Sequence, residues 1–172
     1  MRDSSSFDEF HSATTRRLTH YLYALTGDLA EAQDITQEVY LRAWRRWSQL
    51  QGYDNPEAWI RLVGTRLAVS GFRKATRFTR AMLLFRRPEA VPEPSEDSVL
   101  LTAALRRLPD AQRVAIVQHH LLGMRIEDIA AEAGVSPGTI KSRLSRGRAA
   151  LANLIDISET GEPGTPEVAH AL

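Results

Sequence analysis

The 172-residue chain contains no cysteine. That excludes disulfides, thiolate metal sites and a cysteine nucleophile, and a reducing cytoplasm is the expected setting. No apolar run approaches the ~20 residues of a membrane span. The opening MRDSSSFDEF lacks the apolar core of a signal peptide, so no membrane insertion is expected. No stretch alternates with the period of a strand. Catalytic spacings are missing too: there is no HExxH, no phosphate-cradling glycine loop and no supportable Ser/His/Asp order. Of the histidines His11, His20, His119, His120 and His170, the adjacent pair His119 and His120 would point about 100° apart on a helix and cannot face one metal together. Glu31, Asp34 and Glu38 share a helix without a histidine partner. No enzyme, metal or cofactor is expected.

A large net charge is also absent, at +1, so the chain is no general nucleic-acid coat. The charge is unevenly placed, however. Acids outnumber bases through the first sixty residues. Arg73, Lys74, Arg77, Arg80, Arg86 and Arg87 then follow one another without an acid, and no acid occurs between Glu132 and Asp156.

Helical periodicity fills the space that strands leave. Residues 7–26 carry Phe7, Phe10, Leu18, Leu22 and Leu25 at amphipathic spacing, closed by Gly27. Asp28 caps a helix through Trp47 with Ala32, Ile35, Val39 and Ala43 as its buried line. Its opposite face holds Asp34, Gln37, Glu38, Leu41 and Arg45, and Trp44 and Trp47 are expected to seal the core. A loop from Gln49 to Asn55 turns at Gly52. Asn55-Pro56-Glu57 then starts a helix with cap, proline and acid in order, whose apolar line is read as Trp59, Leu62, Val63, Leu67 and Phe72. Its C-terminal half turns basic, through Arg66, Arg73, Lys74 and Arg77. Those cations suit either the helix dipole or contact with DNA.

Residues 79–98 bring prolines and an acidic run, and read as a linker; its Met82–Phe85 cluster is apolar enough to dock elsewhere. A second helical unit covers 99–155. Its core is expected from Leu100, Leu101, Ala104, Leu105, Val114, Ile116, Val117, Leu121 and Leu122, with Pro109 breaking the first helix. Residues 156–172 read as a disordered tail. The fold expected is all-α: two small helical bundles, 1–78 and 99–155, joined by a flexible linker.

Residues 126–148, IEDIAAEAGVSPGTIKSRLSRGR, carry the strongest pattern, a helix-turn-helix. Ile126, Ile129, Ala130 and Ala133 form one stripe. Gly134 stops that helix, being free of the Cβ penalty in the left-handed region, and Ala130 and Gly134 are small enough for a close helix crossing. Ser136 is a natural N-cap and Pro137 a natural first residue. Ile140, Leu144, Gly147 and Leu151 turn inward, leaving Lys141, Ser142, Arg143, Ser145, Arg146 and Arg148 outside. A helix fits the major groove, where such side chains can read base edges or hold phosphates. A helical hairpin with a solvated basic face is the plainer alternative.

Taken together, FDEFH, AQDITQEVYLRAWRRW, NPEAWIRLVGTRLA and LRRLPDAQRVAIVQHHLLGMRIEDIAAEAGVSPGTIKSRLSRGRAAL resemble the extracytoplasmic-function (ECF) sigma factors of bacterial RNA polymerase, over roughly 7–78 and 98–152. The resemblance implies a promoter-specificity subunit in transcription initiation, acting by binding. It implies that Asp34, Gln37, Glu38, Leu41 and Arg45 grip the clamp helices of the largest polymerase subunit, with a further contact at the flap. It implies −10 recognition and melting by Gly52, Tyr53, Asp54, Trp59, Arg66, Ser70, Arg73, Lys74 and Arg77. It implies −35 recognition by Ser136, Thr139, Lys141, Ser142, Arg143, Ser145, Arg146 and Arg148. Such factors are commonly restrained by an anti-sigma factor. Many members carry Asn and, four residues later, Asp where this chain has Arg66 and Ser70, so a family −10 sequence does not carry over. A stand-alone helix-turn-helix regulator, dimeric on an inverted repeat, is the rival from another class; it leaves the Asp34 face unexplained. An adaptor that binds polymerase without DNA leaves the basic helix idle.

Overall fold

The computed structural model describes residues 4–70 and 95–159, without the side chains of 155–159. Arg73, Lys74, Arg77, the Met82–Phe85 cluster and the tail beyond 159 lie outside the described residues. The described residues form helices and turns, with no strand among them.

The first unit is built on α1 (Ser4–Thr26), which packs against α2 (Leu29–Arg45) and α4 (Pro56–Val69). Gly27, at φ 67°, ends α1, and the Asp28 carboxylate accepts the Glu31 amide at 3.0 Å to start α2. Ala32, Ile35, Val39 and Ala43 are all fully buried. The α2 helix stops at Arg45 rather than running through Trp47, and a single turn, α3 (Trp47–Leu50), follows. That break lets Trp47 turn back beneath α1, where its ring lies 5.3 Å from Phe7 and 5.1 Å from Phe10, centroid to centroid. Trp44 stands 5.0 Å from Phe7 in the same cluster. Both tryptophans do seal the core.

A row of threonines extends the helix contacts in an unexpected currency. Thr14, Thr15, Thr19, Thr26 and Thr36 are buried, and each hydroxyl donates to the carbonyl four residues back. Thr14 also bonds the Tyr40 hydroxyl at 2.6 Å. Burial raises the Tyr40 phenol pKa, against the smaller lowering by those threonine hydrogen bonds.

Asn55 caps α4 through the Ala58 amide at 3.0 Å, with Pro56 as its first residue. The buried line of α4 is Ile60, Gly64 and Leu67, with Trp59 and Val63 half-buried beside it. The expected line through Trp59 and Leu62 was thus one position out of phase. The reason is Gly64, whose missing side chain admits Leu22 Cδ2 to within 3.1 Å of where a Cβ would be and brings α4 hard against α1. Gly52 has no positive φ, so its loop does not depend on glycine.

The second unit comprises α5 (Glu96–Arg106), α6 (Asp110–Ile116), α7 (Ile126–Ala133) and α8 (Pro137–Glu159). Thr102, Leu105 and Leu108 are its inward residues on the α5 side, whereas Leu100 and Leu101, expected in the core, are 70% and 52% exposed. Three successive apolar residues, Val99, Leu100 and Leu101, cannot all share one face of a helix, and the face that α5 turns to α1 begins at Thr102, which donates to the Tyr23 hydroxyl at 3.5 Å. Arg113 closes the break at Pro109 by donating to Leu108 O at 3.2 Å and pairing with Asp110.

The α6 helix widens into a π-helical turn, Val117–Leu121. The extra residue shifts the register, so Val117 and Gln118 face inward and Leu121, expected in the core, is exposed. Ala133, expected on the apolar stripe of α7, is exposed as well. The α8 helix continues through Glu159, four residues into the stretch read as tail.

Candidate nucleic-acid interface

The helix-turn-helix forms where the pattern placed it. Ile129 and Ala130 bury the inner face of α7. Gly134 stops it at φ 65°, ψ 34°, and the Val135 amide folds back to Ala130 O at 3.0 Å. A Cβ at Gly134 would meet nothing within 4 Å, so this glycine serves the backbone and not a close crossing. The close crossing is at Gly147, where a Cβ would lie 2.9 Å from Ile116 Cγ1. Ser136 Oγ accepts the Thr139 amide at 3.2 Å and bonds Thr139 Oγ1 at 2.9 Å. The two hydroxyls read as DNA contacts therefore also build the start of α8.

Ile140 and Leu144 are buried beneath α8, which fixes its rotation. Lys141, Ser145, Arg146 and Arg148 are exposed, while Ser142 and Arg143 are half-buried. Arg143 reaches a mostly apolar cleft lined by Val69, Asp110, Val114, Ile129 and Ala133, so it is the least free of the helix's three arginines and one lysine. No described carboxylate pairs with Lys141, Arg146 or Arg148. The result is a solvent-facing cationic strip on a rigid helix.

The π turn lies behind this helix. His119 Nδ1 bonds Met124 O at 2.9 Å, and the His119 and His120 rings sit 4.9 Å apart nearly edge-on. Desolvation first, then the charges of His119 and Arg148, hold the His120 pKa below its usual value.

On the first unit, Gly52, Tyr53 and Asp54 are exposed in the loop that leads into α4. Trp59 is half-buried, Arg66 is exposed, and Ser70 ends the helix with its hydroxyl on Leu67 O at 3.1 Å. Asp34, Gln37, Glu38 and Leu41 lie half-buried and Arg45 exposed on the solvent side of α2, opposite its fully buried line. Glu38 holds Arg42 at 2.7 Å one turn on. Among the described residues no three His, Cys, Asp or Glu side chains could gather a metal, and no helix is long and apolar enough to cross a membrane.

Sequence reasoning missed three side chains that join the two units. Arg61 of α4 forms a two-pronged pair with Glu132 of α7, at 2.7 and 3.1 Å to Oε2, and Gln118 Nε2 donates to Glu132 Oε1 at 2.8 Å. No spacing rule links residues 71 apart in sequence, and Gln118 turns inward through a π turn that periodicity does not forecast.

Two family profiles match the chain: Sigma-70 region 2 over residues 10–78 and Sigma-70 region 4 over residues 98–151. The ECF RNA polymerase sigma factor SigM of Mycobacterium tuberculosis is 32% identical over 92% of this chain and 82% of its own length. The ECF RNA polymerase sigma factor SigE of Mycolicibacterium smegmatis is 34% identical over 85% of this chain, which spans only 60% of that relative's length. Among solved structures, the Bartonella quintana sigma factor RpoE, in complex with the anti-sigma factor NepR, superposes with a TM-score of 0.69 at 26% identity. That match covers 88% of this chain and 98% of the other. With both regions matched and these relatives aligned across most of its length, the chain belongs to the sigma-70 family of RNA polymerase sigma factors, in its ECF group.

Proposed function

We propose that this chain joins core RNA polymerase and directs it to promoters whose −35 element is read by α8 and whose −10 element is bound and opened by α4 and the loop before it. The observation that carries the reading is the rigid, unpaired cationic strip of α8, presented by a helix-turn-helix beside an acidic and amide face on α2. The α2 residues Asp34, Gln37, Glu38, Leu41 and Arg45 grip the clamp helices, and the second unit meets the flap. Half-exposed Leu41, costly to leave in water on such a face, has a purpose there.

At the −35 element Lys141, Ser142, Ser145 and Arg146 read base edges in the major groove, while Arg143 and Arg148 hold phosphates, with Ser136 and Thr139 setting the helix start against the backbone. At the −10 element a non-template base leaves the stack for a pocket near Gly52, Tyr53, Asp54 and Trp59. Extrusion costs a few kcal/mol, which stacking and hydrogen bonding offset. Arg66 and Ser70 give that pocket a preference of its own, and Arg73, Lys74 and Arg77 follow in sequence as phosphate contacts. All of this is binding, needs no cofactor, and takes place in the cytoplasm where polymerase works. The complex recorded for the similar RpoE structure supports restraint of this chain by an anti-sigma factor.

The test is promoter binding by the polymerase complex across −35 variants. Lys141→Ala should remove about 1–3 kcal/mol of discrimination at one base pair. Arg148→Ala should weaken all sequences alike and reduce the slope of log affinity against log salt by about one. An unchanged −35 preference in Lys141→Ala would remove that residue from base reading.

A further inference from the structure

The recognition helix shares a cleft with the helices that support it. A cavity of about 250 Å³ lies between α6, α7 and α8, with Val69 of α4 also lining it. Nine of its ten lining residues fall between Asp110 and Arg143, so the cleft belongs to the second unit. Val114, Ile129 and Ile140 make its walls apolar. Three alanines keep it open: Ala111 and Ala115, one turn apart on α6, and Ala133 at the end of α7. Ala111 and Ala133 are exposed, so a larger side chain at either could fill the space without moving the backbone. The spaces between packed helices are normally filled to the density of organic crystals; this one is not.

The polar groups of the cleft are unequally satisfied. Gln118 is buried with its amide donated to Glu132. Asp110 pairs with Arg113. Arg143 pairs with no described carboxylate, yet it is half-buried against apolar walls. It gives up hydration there without gaining a partner. An anion seated in the cleft would supply one. A single negative charge balances Arg143, whereas a second would stand beside the Asp110 carboxylate, so a carboxylate fits better than a phosphate. The apolar walls call for a hydrocarbon body. The volume falls short of the roughly 300–1,000 Å³ usual for drug-sized ligands, so that body is small.

We propose that this cleft binds a small monocarboxylate with an apolar body, of the medium-chain fatty acid class, whose carboxylate pairs with Arg143. Occupancy would draw Arg143 away from its −35 phosphate and lower promoter affinity. That regulatory consequence rests on the promoter-factor reading above; the binding site does not. The probe is octanoate, titrated calorimetrically into the full chain. It should bind one to one. Acetate, which lacks the apolar body, and octanol, which lacks the charge, should each bind about ten-fold more weakly or worse. Arg143→Gln should lose a similar factor, and Ala111→Leu should abolish binding at unchanged helix content by circular dichroism. With core polymerase, octanoate should weaken binding to a −35 fragment several-fold in the parent and not in Ala111→Leu. No binding at millimolar octanoate, or equal binding in the parent and either variant, overturns the site. Binding that appears only after Met82–Phe85 is replaced by serines gives the cleft to the chain's own apolar segment, and overturns it as well. Octanoate binding as expected with promoter affinity unaltered overturns the regulatory role. A polymerase complex with no −35 preference even without octanoate overturns the promoter-factor reading and that role with it, and leaves the site standing.

Discussion

A methyl group added at position 147 would lie 2.9 Å from Ile116 Cγ1 and 3.3 Å from Ile116 Cδ1, closer than real carbon contacts allow. Gly147→Ala should therefore destabilise the second unit by about 1–3 kcal/mol, the usual range for overpacking. Combining it with Ile116→Val, which removes the carbon at 3.3 Å, should recover part of the loss in thermal unfolding. At Gly134 the constraint is of another kind. Space surrounds it, and its φ of 65° is what a side chain would resist. The sequence made Gly134 and Gly147 visible as residues of interest, but assigned the close crossing to the wrong one. Periodicity says which residues face inward; which inward position lies nearest the partner helix depends on how the helices cross in the folded chain.

Among the elements, the recognition helix owes its start to Ser136, whose hydroxyl accepts the Thr139 amide. Ser136→Ala should cost about 0.5–2 kcal/mol of stability, and its loss of DNA affinity should shrink in a background stabilised elsewhere if the cap is its main role. A calorimetric melt beside a DNA titration separates the two. Caps and long amphipathic stripes were legible from sequence at Asp28, Asn55, Gly27 and Gly134, because each is a local choice of side chain and backbone. The phase of α4 was not, since Gly64 against Leu22 rather than the bulkiest residues sets its rotation. Nor were the exposed Leu100, Leu101 and Leu121, whose places follow from the face α5 turns to α1 and from the π turn after Ile116. The α2 line came through intact because Ala32, Ile35, Val39 and Ala43 repeat without interruption over three turns.

At the scale of the whole molecule, two helical units divide the labour of a sigma factor. In the function proposed above, the α2 face would meet polymerase, the loop and α4 melting DNA, and α8 duplex. The contacts between the units, Arg61 with Glu132 and Thr102 of α5 beside Tyr23 of α1, involve residues far apart in sequence, and no motif announces them. The helix-turn-helix and its exposed basic side chains were legible because the turn glycine, the cap and the apolar stripe are local choices at fixed positions. The Arg61–Glu132 contact obeys only the demand that buried charge be paired. The most direct test of the central claim is run-off transcription with core polymerase on a pool of promoter fragments, with and without this chain. Transcripts confined to a promoter subset, requiring the chain and vanishing with Asp34→Arg, are the predicted result. An absence of such transcripts, together with tight binding of the chain alone to an inverted repeat, would contradict it and mark a stand-alone regulator.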